Sequence, residues 1–242
     1  MTIALSVVVP VKDEAQNVVP LAREIAAVVG QDSSVEIIFV DDGSGDETLG
    51  SLLKLKSEMP MLRVIRHSGN GGQSRALRSG VRAARAGIVV TLDGDGQNDP
   101  ADIPKVLAPF HAEPDTARTA MVSGVRVKRR DNFAKRIASR LANRFRGWML
   151  NDGAVDVGCG LKAFRRDAYL ALPYFDHMHR YLAALMVREG YEVRFVDVGH
   201  RPRIHGTSKY GVWDRLVVGV EDIRGVLWLK KRYRPGVEAT EV

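Results

Sequence analysis

Residues 5–40 are LSVVVPVKDEAQNVVPLAREIAAVVGQDSSVEIIFV, and their apolar spacing changes twice. Residues 5–9 form a β-branched run that ends at Pro10. Residues 18–29 have the 3.6-residue periodicity of a helix, and residues 35–40 are a second apolar strand. A strand, a helix and a strand in this order predict a βαβ unit whose two strands lie parallel.

The same alternation continues to residue 92. It predicts a helix over 47–57, a strand at 62–65, a helix over 73–85 and a strand at 88–92. Strands that alternate with helices favour an α/β fold with a mostly parallel sheet, covered by helices on both faces. In such sheets ligands bind beyond the carboxyl ends of the strands, so the residues that follow each strand are candidates for a functional site.

The second half of the chain is less regular. It predicts a strand near 120–124, a turn-rich stretch at 152–160 followed by a short strand, a helix near 179–189 and a strand at 191–196. There is no internal repeat and no low-complexity linker. We therefore treat residues 1–233 as one domain and expect 234–242 to be a flexible tail.

The positive charge of the chain is concentrated in one segment. The formal net charge is +7 at pH 7, and residues 126–146 alone contain nine basic residues and one acid, so the remainder is close to neutral. This distribution favours a localised anionic partner over general affinity for nucleic acid. The only cysteine, Cys159, excludes an internal disulfide framework and a Cys-based zinc cluster, and it fits a reducing cytoplasm.

The sequence predicts neither a signal peptide nor a membrane-spanning helix. Residues 1–14 lack a basic region and a cleavage site, and no stretch reaches the roughly 18 uninterrupted apolar residues that a spanning helix needs. Two segments, 133–149 and 212–229, instead have an apolar stripe beside basic residues. Such helices are typical of a membrane interface, and a surface helix that packs its stripe on the protein core is the alternative.

Two carboxylates follow the predicted strand at 88–92. Asp93 and Asp95 are separated by Gly94, and two carboxylates in this arrangement can share one hard cation, with Gln97 supplying a further oxygen. A Mg²⁺ or Mn²⁺ bound in this way acts as a Lewis acid on a diphosphate. The alternative interpretation is a tight turn with side-chain capping.

Two other strand ends are polar. Asp41 and Asp42 follow the second strand, and we expect one of them to cap the helix that begins near residue 47 while the other binds a base or a ribose hydroxyl. The GNGG turn at 69–72 is either a phosphate-contacting loop or a plain turn between a strand and a helix. It has neither the P-loop nor the dinucleotide fingerprint.

Five motifs together resemble the family 2 glycosyltransferases of the GT-A fold, in particular the branch with the dolichol- and polyprenol-phosphate mannose synthases. They are VVVPVKDE at 7–14, VDDGS at 40–44, DGDGQ at 93–97, DVGCG at 156–160 and RIHGTSKY at 203–210, in family order. The chain departs from the family pattern in two places. The usual Gln-His-Pro-Pro is replaced by QNDP at 97–100, and the usual Ser-Gly-Phe by CGL at 159–161, which weakens any transfer of sugar specificity.

The resemblance implies a role for each matching residue. The nucleotide would be bound by Pro10, Val11, Glu14, Asp42 and Asp93, a Mg²⁺ or Mn²⁺ by Asp93, Asp95 and Gln97, and the acceptor phosphate by Arg126, Arg203, Ser208 and Lys209. The candidate catalytic residues are Asp95, Arg126 and Asp156. In this scheme residues 1–125 form the nucleotide-sugar half of the domain, and residues 126–233 form the acceptor and membrane-interface half.

The implied function is that of a metal-dependent, inverting glycosyltransferase. It would move a sugar from GDP-mannose or a UDP-sugar to a polyprenyl phosphate at the cytoplasmic face of the membrane, within the synthesis of a cell-envelope glycan. Such a phosphate is already anionic near pH 7, so it needs no dedicated general base. We expect a cytoplasmic protein, bound peripherally to anionic lipid through the segment 126–146 and the basic residues 230–234, and a homo-oligomer is compatible with the sequence.

Two alternatives have different chemistry. The same fold could transfer the sugar to a saccharide hydroxyl, with Asp156 as the general base. A non-catalytic module that binds a membrane surface or nucleic acid is the other alternative. The acidic strand ends argue against nucleic acid, because they would repel a polyanion.

Overall fold

A computed structural model describes residues 2–30, 34–111, 119–127, 146–203 and 212–234, with the backbone alone for 212–218. The strands are β1 (Leu5–Val11), β2 (Val35–Asp41), β3 (Leu62–Arg66), β4 (Ile88–Thr91), β5 (Thr119–Arg126), β6 (Lys162–Arg165) and β7 (Glu192–Val198). The helices are α1 (Val18–Val29), α2 (Thr48–Glu58), α3 (Gln73–Ala83), α4 (Ile103–His111), α5 (described over 146–150), α6 (Arg166–Ala171), α7 (Leu182–Arg188) and α8 (Val212–Arg232).

The seven strands form one sheet in the order β3-β2-β1-β4-β6-β5-β7. β6 runs antiparallel to both of its neighbours, and the other pairings are parallel, so the prediction of a mostly parallel α/β sheet is confirmed. The reversal of β6 has a consequence for the site. Its amino end lies at the same edge as the carboxyl ends of the other strands, and the turn-rich residues 156–161 therefore join that edge.

The core has one apolar layer on each face of the sheet. Along β1, Val7 and Val9 point to the layer that contains α1, α2 and α4, while Val8 points to the layer that contains α3 and α7. All three valines are fully buried. Burial on both faces explains why the central strands are continuous apolar runs rather than alternating ones.

Two local patterns were misleading at the sequence level. Helix α4 was not predicted, because Pro104 and Pro109 interrupt its periodicity; Pro109 lies near the end of the helix, where few backbone hydrogen bonds are lost. Helix α7 begins at Leu182, later than predicted, because residues 178–180 form a 3₁₀ turn. The helix predicted over 133–149 lies outside the described residues except for its last part, within α5.

The half-buried His179 is expected to make the stability of the fold depend on pH. Its Nδ1 lies 2.8 Å from the Ser74 hydroxyl, and burial, with the charges of Arg180 and Lys162, lowers the pKa of His179 from 6.5 to about 3. The His179 imidazole therefore binds a proton more readily in the unfolded chain than in the folded protein. The contribution of neutral His179 to the free energy of unfolding is complete above pH 6.5. It is lost as the pH falls toward 3, by up to about 1.4 kcal/mol per pH unit.

Urea denaturation between pH 7 and pH 4.5 checks this expectation. In His179→Gln the free energy of unfolding should fall less steeply with decreasing pH than in the unaltered protein. The exposed His111 provides the control, since His111→Gln should not change how steeply the free energy of unfolding depends on pH. An unchanged slope in His179→Gln would contradict the expectation.

Candidate active site

The loop after β1 is held in place by the loop after β2. Asp13 accepts a hydrogen bond from the Gly45 amide at 2.8 Å and donates its own amide to Ser44 Oγ at 2.9 Å. The amide of Glu14 donates to Thr48 Oγ1 at 2.8 Å. These bonds join the first two motifs of the sequence at the carboxyl edge of the sheet.

The acidic motif after β4 packs directly on the end of β1. A Cβ at Gly94 would overlap the Val11 side chain and lie 3.0 Å from the Pro10 carbonyl oxygen. The missing side chain therefore allows this close approach. It brings Asp93 and Asp95 next to Pro10 and Val11, two residues predicted to bind the nucleotide.

The carboxylate of Asp42 is engaged within the protein. One oxygen accepts the Gly71 amide at 2.8 Å and lies 2.7 Å from His67 Nδ1, and the other accepts the Gly72 amide at 2.8 Å. His67 Nε2 in turn lies 2.9 Å from Ser79 Oγ. Asp42 therefore shapes the GNGG loop, whose amides of Gly71 and Gly72 face a carboxylate. Its contact with a nucleotide stays a prediction.

The expectation that Asp41 or Asp42 caps helix α2 is wrong. The carboxylate of Asp46 accepts the amide of Thr48, the first residue of α2, at 3.0 Å, and also the Ala15 amide at 3.2 Å. Asp41 instead accepts the Ser44 amide at 3.1 Å. Asp41 and Asp42 lie too far before the helix, because a capping oxygen must come from the residues next to its first turn.

The two carboxylates of the DGDGQ motif lie in different surroundings. Asp93 accepts a hydrogen bond from Gln73 Nε2 at 2.9 Å, and burial together with the negative charge of Asp95 raises the pKa of Asp93 to about 6. One carboxylate oxygen of Asp95 accepts a hydrogen bond from the backbone N–H of Gln97 at 3.1 Å. The other oxygen accepts a hydrogen bond from the guanidinium of Arg203. Crowded negative charge of this kind is relieved by a cation.

The oxygen ligands that the DGDGQ motif offers fit a hard divalent cation. Asp93, Asp95 and Gln97 offer two carboxylates and an amide oxygen, the ligands that Mg²⁺ and Mn²⁺ prefer. Across the described ranges, no three acidic, histidine or cysteine side chains gather into a complete metal-binding group. An ion at this edge would therefore take further ligands from water or from a bound phosphate.

Arg126 and Asp156 form a two-pronged ion pair beside this acidic edge. Arg126 Nε donates to Asp156 Oδ2 at 2.7 Å, and Arg126 Nη2 donates to Oδ1 at 2.8 Å. Asp156 is buried, and the Arg126 side chain is 12% exposed. Burial opposes the charge of Arg126, but the hydrogen bonds and charge of Asp156 raise its pKa above the usual value.

The stretch after β7 is anchored along the loop that follows the DGDGQ motif. The Gly199 amide donates to the buried Asp102 at 2.6 Å, and the Arg201 amide donates to the Gln97 carbonyl at 2.9 Å. The Arg201 side chain bridges Asp99 and Glu24, each at 2.6 Å. This anchor, which we call the Arg201 clamp, leads the chain to Arg203 at Asp95. Ser208 and Lys209, predicted to bind the acceptor phosphate, lie outside the described residues.

Sequence reasoning missed several residues of this edge. Gln73 contacts Asp93, Asn98 accepts the Asp93 amide at 3.0 Å, and Asp99 belongs to the Arg201 clamp. Asn98 and Asp99 are the two positions that depart from the Gln-His-Pro-Pro pattern. That departure was a usable signal, whereas nothing in the sequence distinguishes Gln73 from other polar residues at the start of a helix.

The expectation that the whole segment 126–146 faces a membrane is wrong at Arg146. This residue is 6% exposed, donates to Asp152 at 2.6 Å and lies over the ring of Tyr181. Residues 128–145 lie outside the described residues. Trp148 and Trp228, in contrast, are 78% and 59% exposed. In the described part of the chain, no helix has the length and apolarity needed to cross a bilayer.

Residues 6–172 match the family described as glycosyl transferase family 2. A dodecaprenyl-phosphate galacturonate synthase of Rhizobium johnstonii is 33% identical over 240 residues, which are 97% of this chain and 70% of that protein. An undecaprenyl-phosphate 4-deoxy-4-formamido-L-arabinose transferase of Pseudomonas fluorescens is 35% identical over 212 residues, 85% of this chain. The chain spans only 60% of the length of that second relative.

Among solved structures, the fold resembles a glucosyl-3-phosphoglycerate synthase of Mycobacterium tuberculosis, crystallised with Mn²⁺, uridine diphosphate and glucosyl-3-phosphoglycerate. The TM-score is 0.70 at 18% sequence identity, over 98% of this chain and 84% of the other. At this identity the likeness concerns the fold alone, and it confirms the predicted GT-A architecture.

Proposed function

The chain belongs to glycosyl transferase family 2, and from this membership we propose that it transfers a sugar from a nucleotide donor to the phosphate of a polyprenyl lipid. One observation carries the proposal. Arg203, a side chain suited to phosphate, contacts Asp95 of the acidic motif, so an anion-binding group and a cation-binding group share one edge of the sheet. The polyprenyl phosphates in the names of both curated relatives support the same acceptor class.

The donor is assigned to the first half of the domain. Pro10, Val11, Glu14 and Asp42 belong to the loops that would receive the nucleotide, and Gly94, the residue after Asp93, packs on Pro10 and Val11. A Mg²⁺ or Mn²⁺ held by Asp93, Asp95 and Gln97 would supply Lewis-acid stabilisation of the diphosphate. GDP-mannose and UDP-sugars are the donors to test.

The acceptor is assigned to the second half. Arg126 and Arg203, with Ser208 and Lys209, orient the lipid phosphate so that one of its oxygens attacks the anomeric carbon of the sugar. The bond from that carbon to the diphosphate oxygen breaks, and its electron pair leaves with the diphosphate. A single in-line displacement inverts the anomeric configuration. No proton has to be removed from the attacking oxygen, because the phosphate is anionic near pH 7.

The bonding of Asp156 favours a phosphate acceptor over a hydroxyl acceptor. Both of its carboxylate oxygens accept hydrogen bonds from the Arg126 side chain. A carboxylate held in this way is a poor proton acceptor, because the guanidinium stabilises its charged form. We assign Asp156 to the positioning of Arg126.

We also propose that the protein binds peripherally at the cytoplasmic face of the membrane. Trp148 is exposed, and exposed Trp228 on α8 lies with the guanidinium of Arg232 over its ring. Aromatic side chains beside cationic ones suit the boundary between lipid headgroups and acyl chains.

Flotation with anionic vesicles tests this binding, and neutral vesicles should retain less protein. Equal recovery with both kinds of vesicle would contradict the charge contribution.

The transfer reaction is tested with purified protein, Mn²⁺, a panel of nucleotide sugars and a short-chain prenyl phosphate. We expect release of the nucleoside diphosphate and formation of a glycosyl prenyl phosphate with at least one donor. The matched control is the prenyl alcohol, which has the same chain without the phosphate. Transfer to the alcohol, or no product with any donor, would overturn the proposal.

Loss of the Arg201 clamp should weaken the binding of the acceptor and leave the affinity for the nucleotide unchanged. In Arg201→Gln we expect the KM for the prenyl phosphate to rise about 5- to 10-fold, because the segment that carries Arg203 loses its side-chain anchors to Glu24 and Asp99. The cost in stability should be at most about 1 kcal/mol, since Arg201 is 39% exposed. Steady-state kinetics with the acceptor varied check this. The control is Arg194→Gln on β7, whose guanidinium contacts the neighbouring Glu192. Equal loss of acceptor and nucleotide affinity in Arg201→Gln would indicate general damage instead.

A further inference from the structure

Lys162 carries a buried positive charge that the proposed reaction has not used. It is the first residue of β6, pairs with Thr91 of β4 and is 8% exposed. Its side chain lies on the same face of the sheet as Thr91, which precedes Asp93 by two residues. The amino end of β6 therefore presents this ammonium at the edge where the acidic motif lies.

The partners of Lys162 place its ammonium close to Asp93. The ammonium donates a hydrogen bond to the carbonyl of Cys159. The next residue, Gly160, lies directly against Asp93, since a Cβ added there would overlap the Asp93 carboxylate. The charge of Lys162 accordingly acts on Asp93, in the direction that favours its ionised form.

Lys162 differs from Arg126 and Arg203 because, among the described residues, no carboxylate lies within ion-pair distance of its ammonium, and Asp93 acts on it through its charge alone. Arg126 is paired with Asp156, and Arg203 is paired with Asp95. Within the described part of the chain, Lys162 has its hydrogen bond to Cys159 and no ion pair. An ammonium has three N–H groups, and a buried one without a counter-ion is costly unless a ligand supplies the missing charge.

We propose that Lys162 is a phosphate-binding residue of this site, which donates its remaining N–H groups to a phosphoryl oxygen of the substrate. The inference deepens the proposed function and rests on it, because the phosphate would come from the donor diphosphate or from the lipid acceptor. The bound phosphate supplies a counter-charge in direct contact with Lys162, which makes no ion pair within the described part of the chain. Lys162 then joins Arg126, Arg203 and Lys209 as a cation of the proposed site.

The experiment compares stability with phosphate binding in Lys162→Met, which keeps the length of the side chain and removes its charge. We expect the free energy of unfolding to stay the same or rise, because the variant no longer buries an uncompensated charge. We expect the affinity for a phosphate ligand to fall about 10- to 100-fold. Lys162→Arg should retain most of that affinity, and Lys56→Met, which removes one positive charge from the surface of α2, should bind like the unaltered protein.

Calorimetric titration in two arms distinguishes the sources of the phosphate. One arm uses UDP or GDP with Mn²⁺, and the other uses a short-chain prenyl phosphate alone. A loss confined to the first arm assigns Lys162 to the donor diphosphate, and a loss confined to the second assigns it to the acceptor. If Lys162→Met does not fold, Lys162→Gln gives the same comparison, because it keeps a donor for the Cys159 carbonyl.

Unchanged affinity in both arms would overturn the proposal and leave Lys162 as a structural contact to Cys159. Neither arm requires sugar transfer. A protein that binds both ligands but forms no product would therefore refute the proposed function while still testing Lys162. A protein that binds neither ligand refutes both.

Discussion

Asp95→Ala is expected to lower kcat/KM about 10²- to 10³-fold in a protein that remains folded. The Asp95 carboxylate contacts the guanidinium of Arg203 and is also a ligand of the proposed cation. Lewis-acid stabilisation of a leaving diphosphate contributes several kcal/mol to the transition state, and each 1.36 kcal/mol corresponds to a factor of ten in rate. The alanine variant also releases the guanidinium of Arg203 from its carboxylate partner. Both effects act on the same step.

Two measurements check this expectation independently. Steady-state turnover with Mn²⁺ gives the loss in kcat/KM, and thermal unfolding with UDP or GDP, with and without Mn²⁺, shows whether the metal still increases nucleotide stabilisation. The control is Asp167→Asn, whose carboxylate is 93% exposed on α6. Unchanged turnover in Asp95→Ala would remove Asp95 from the reaction and, with it, the proposed metal site.

The second large effect is expected on stability, from the buried pair of Arg126 and Asp156. Asp156→Ala should lower the free energy of unfolding by about 3 to 5 kcal/mol, because it leaves a buried guanidinium without its carboxylate. Arg126→Gln should have a cost of the same kind. The double variant should lose less than the sum of the two, since neither charge is then left alone.

Urea denaturation of the two single variants and the double variant measures this coupling. The exposed pair of Arg194 and Glu192 on β7 is the matched comparison, and its coupling should stay below about 1 kcal/mol. Strictly additive effects in the Arg126 and Asp156 set would contradict the expectation.

Turnover should fall about 10²-fold in Arg126→Lys, because lysine keeps the charge and loses the two-pronged geometry that suits phosphate.

Much of the first half of the fold could be predicted from local periodicity. Helix α1 has the bounds expected from its apolar spacing, and β1, β2 and β3 lie within two residues of their predicted ends. These elements have uninterrupted patterns that reflect burial on one face or on both. Helix α4 escaped detection because its prolines conceal that pattern, and the basic helix predicted over 133–149 can be compared only within α5.

The candidate site divides in the same way between local and distant determinants. Asp93, Asp95 and Gln97 are recognisable because they are close in sequence and follow a strand. The hydrogen bonds of Asp42 to Gly71 and Gly72, the Arg201 clamp and the position of Lys162 join residues that are far apart in the chain or depend on the direction of β6. No local pattern encodes such contacts.

The sequence by itself determined the α/β class, the strand ends that carry the acids, and the family whose motifs those ends contain. Periodicity and short motifs suffice for these properties, because each depends on neighbours within a few residues along the chain. The tertiary structure alone decided which charges are paired. It directed Arg146 inward to Asp152, joined Arg126 to Asp156, and buried Lys162 without an ion pair to any described residue. The physical reason is that the energy of a charge depends on its burial and on the counter-ions that the fold brings to it from distant parts of the chain.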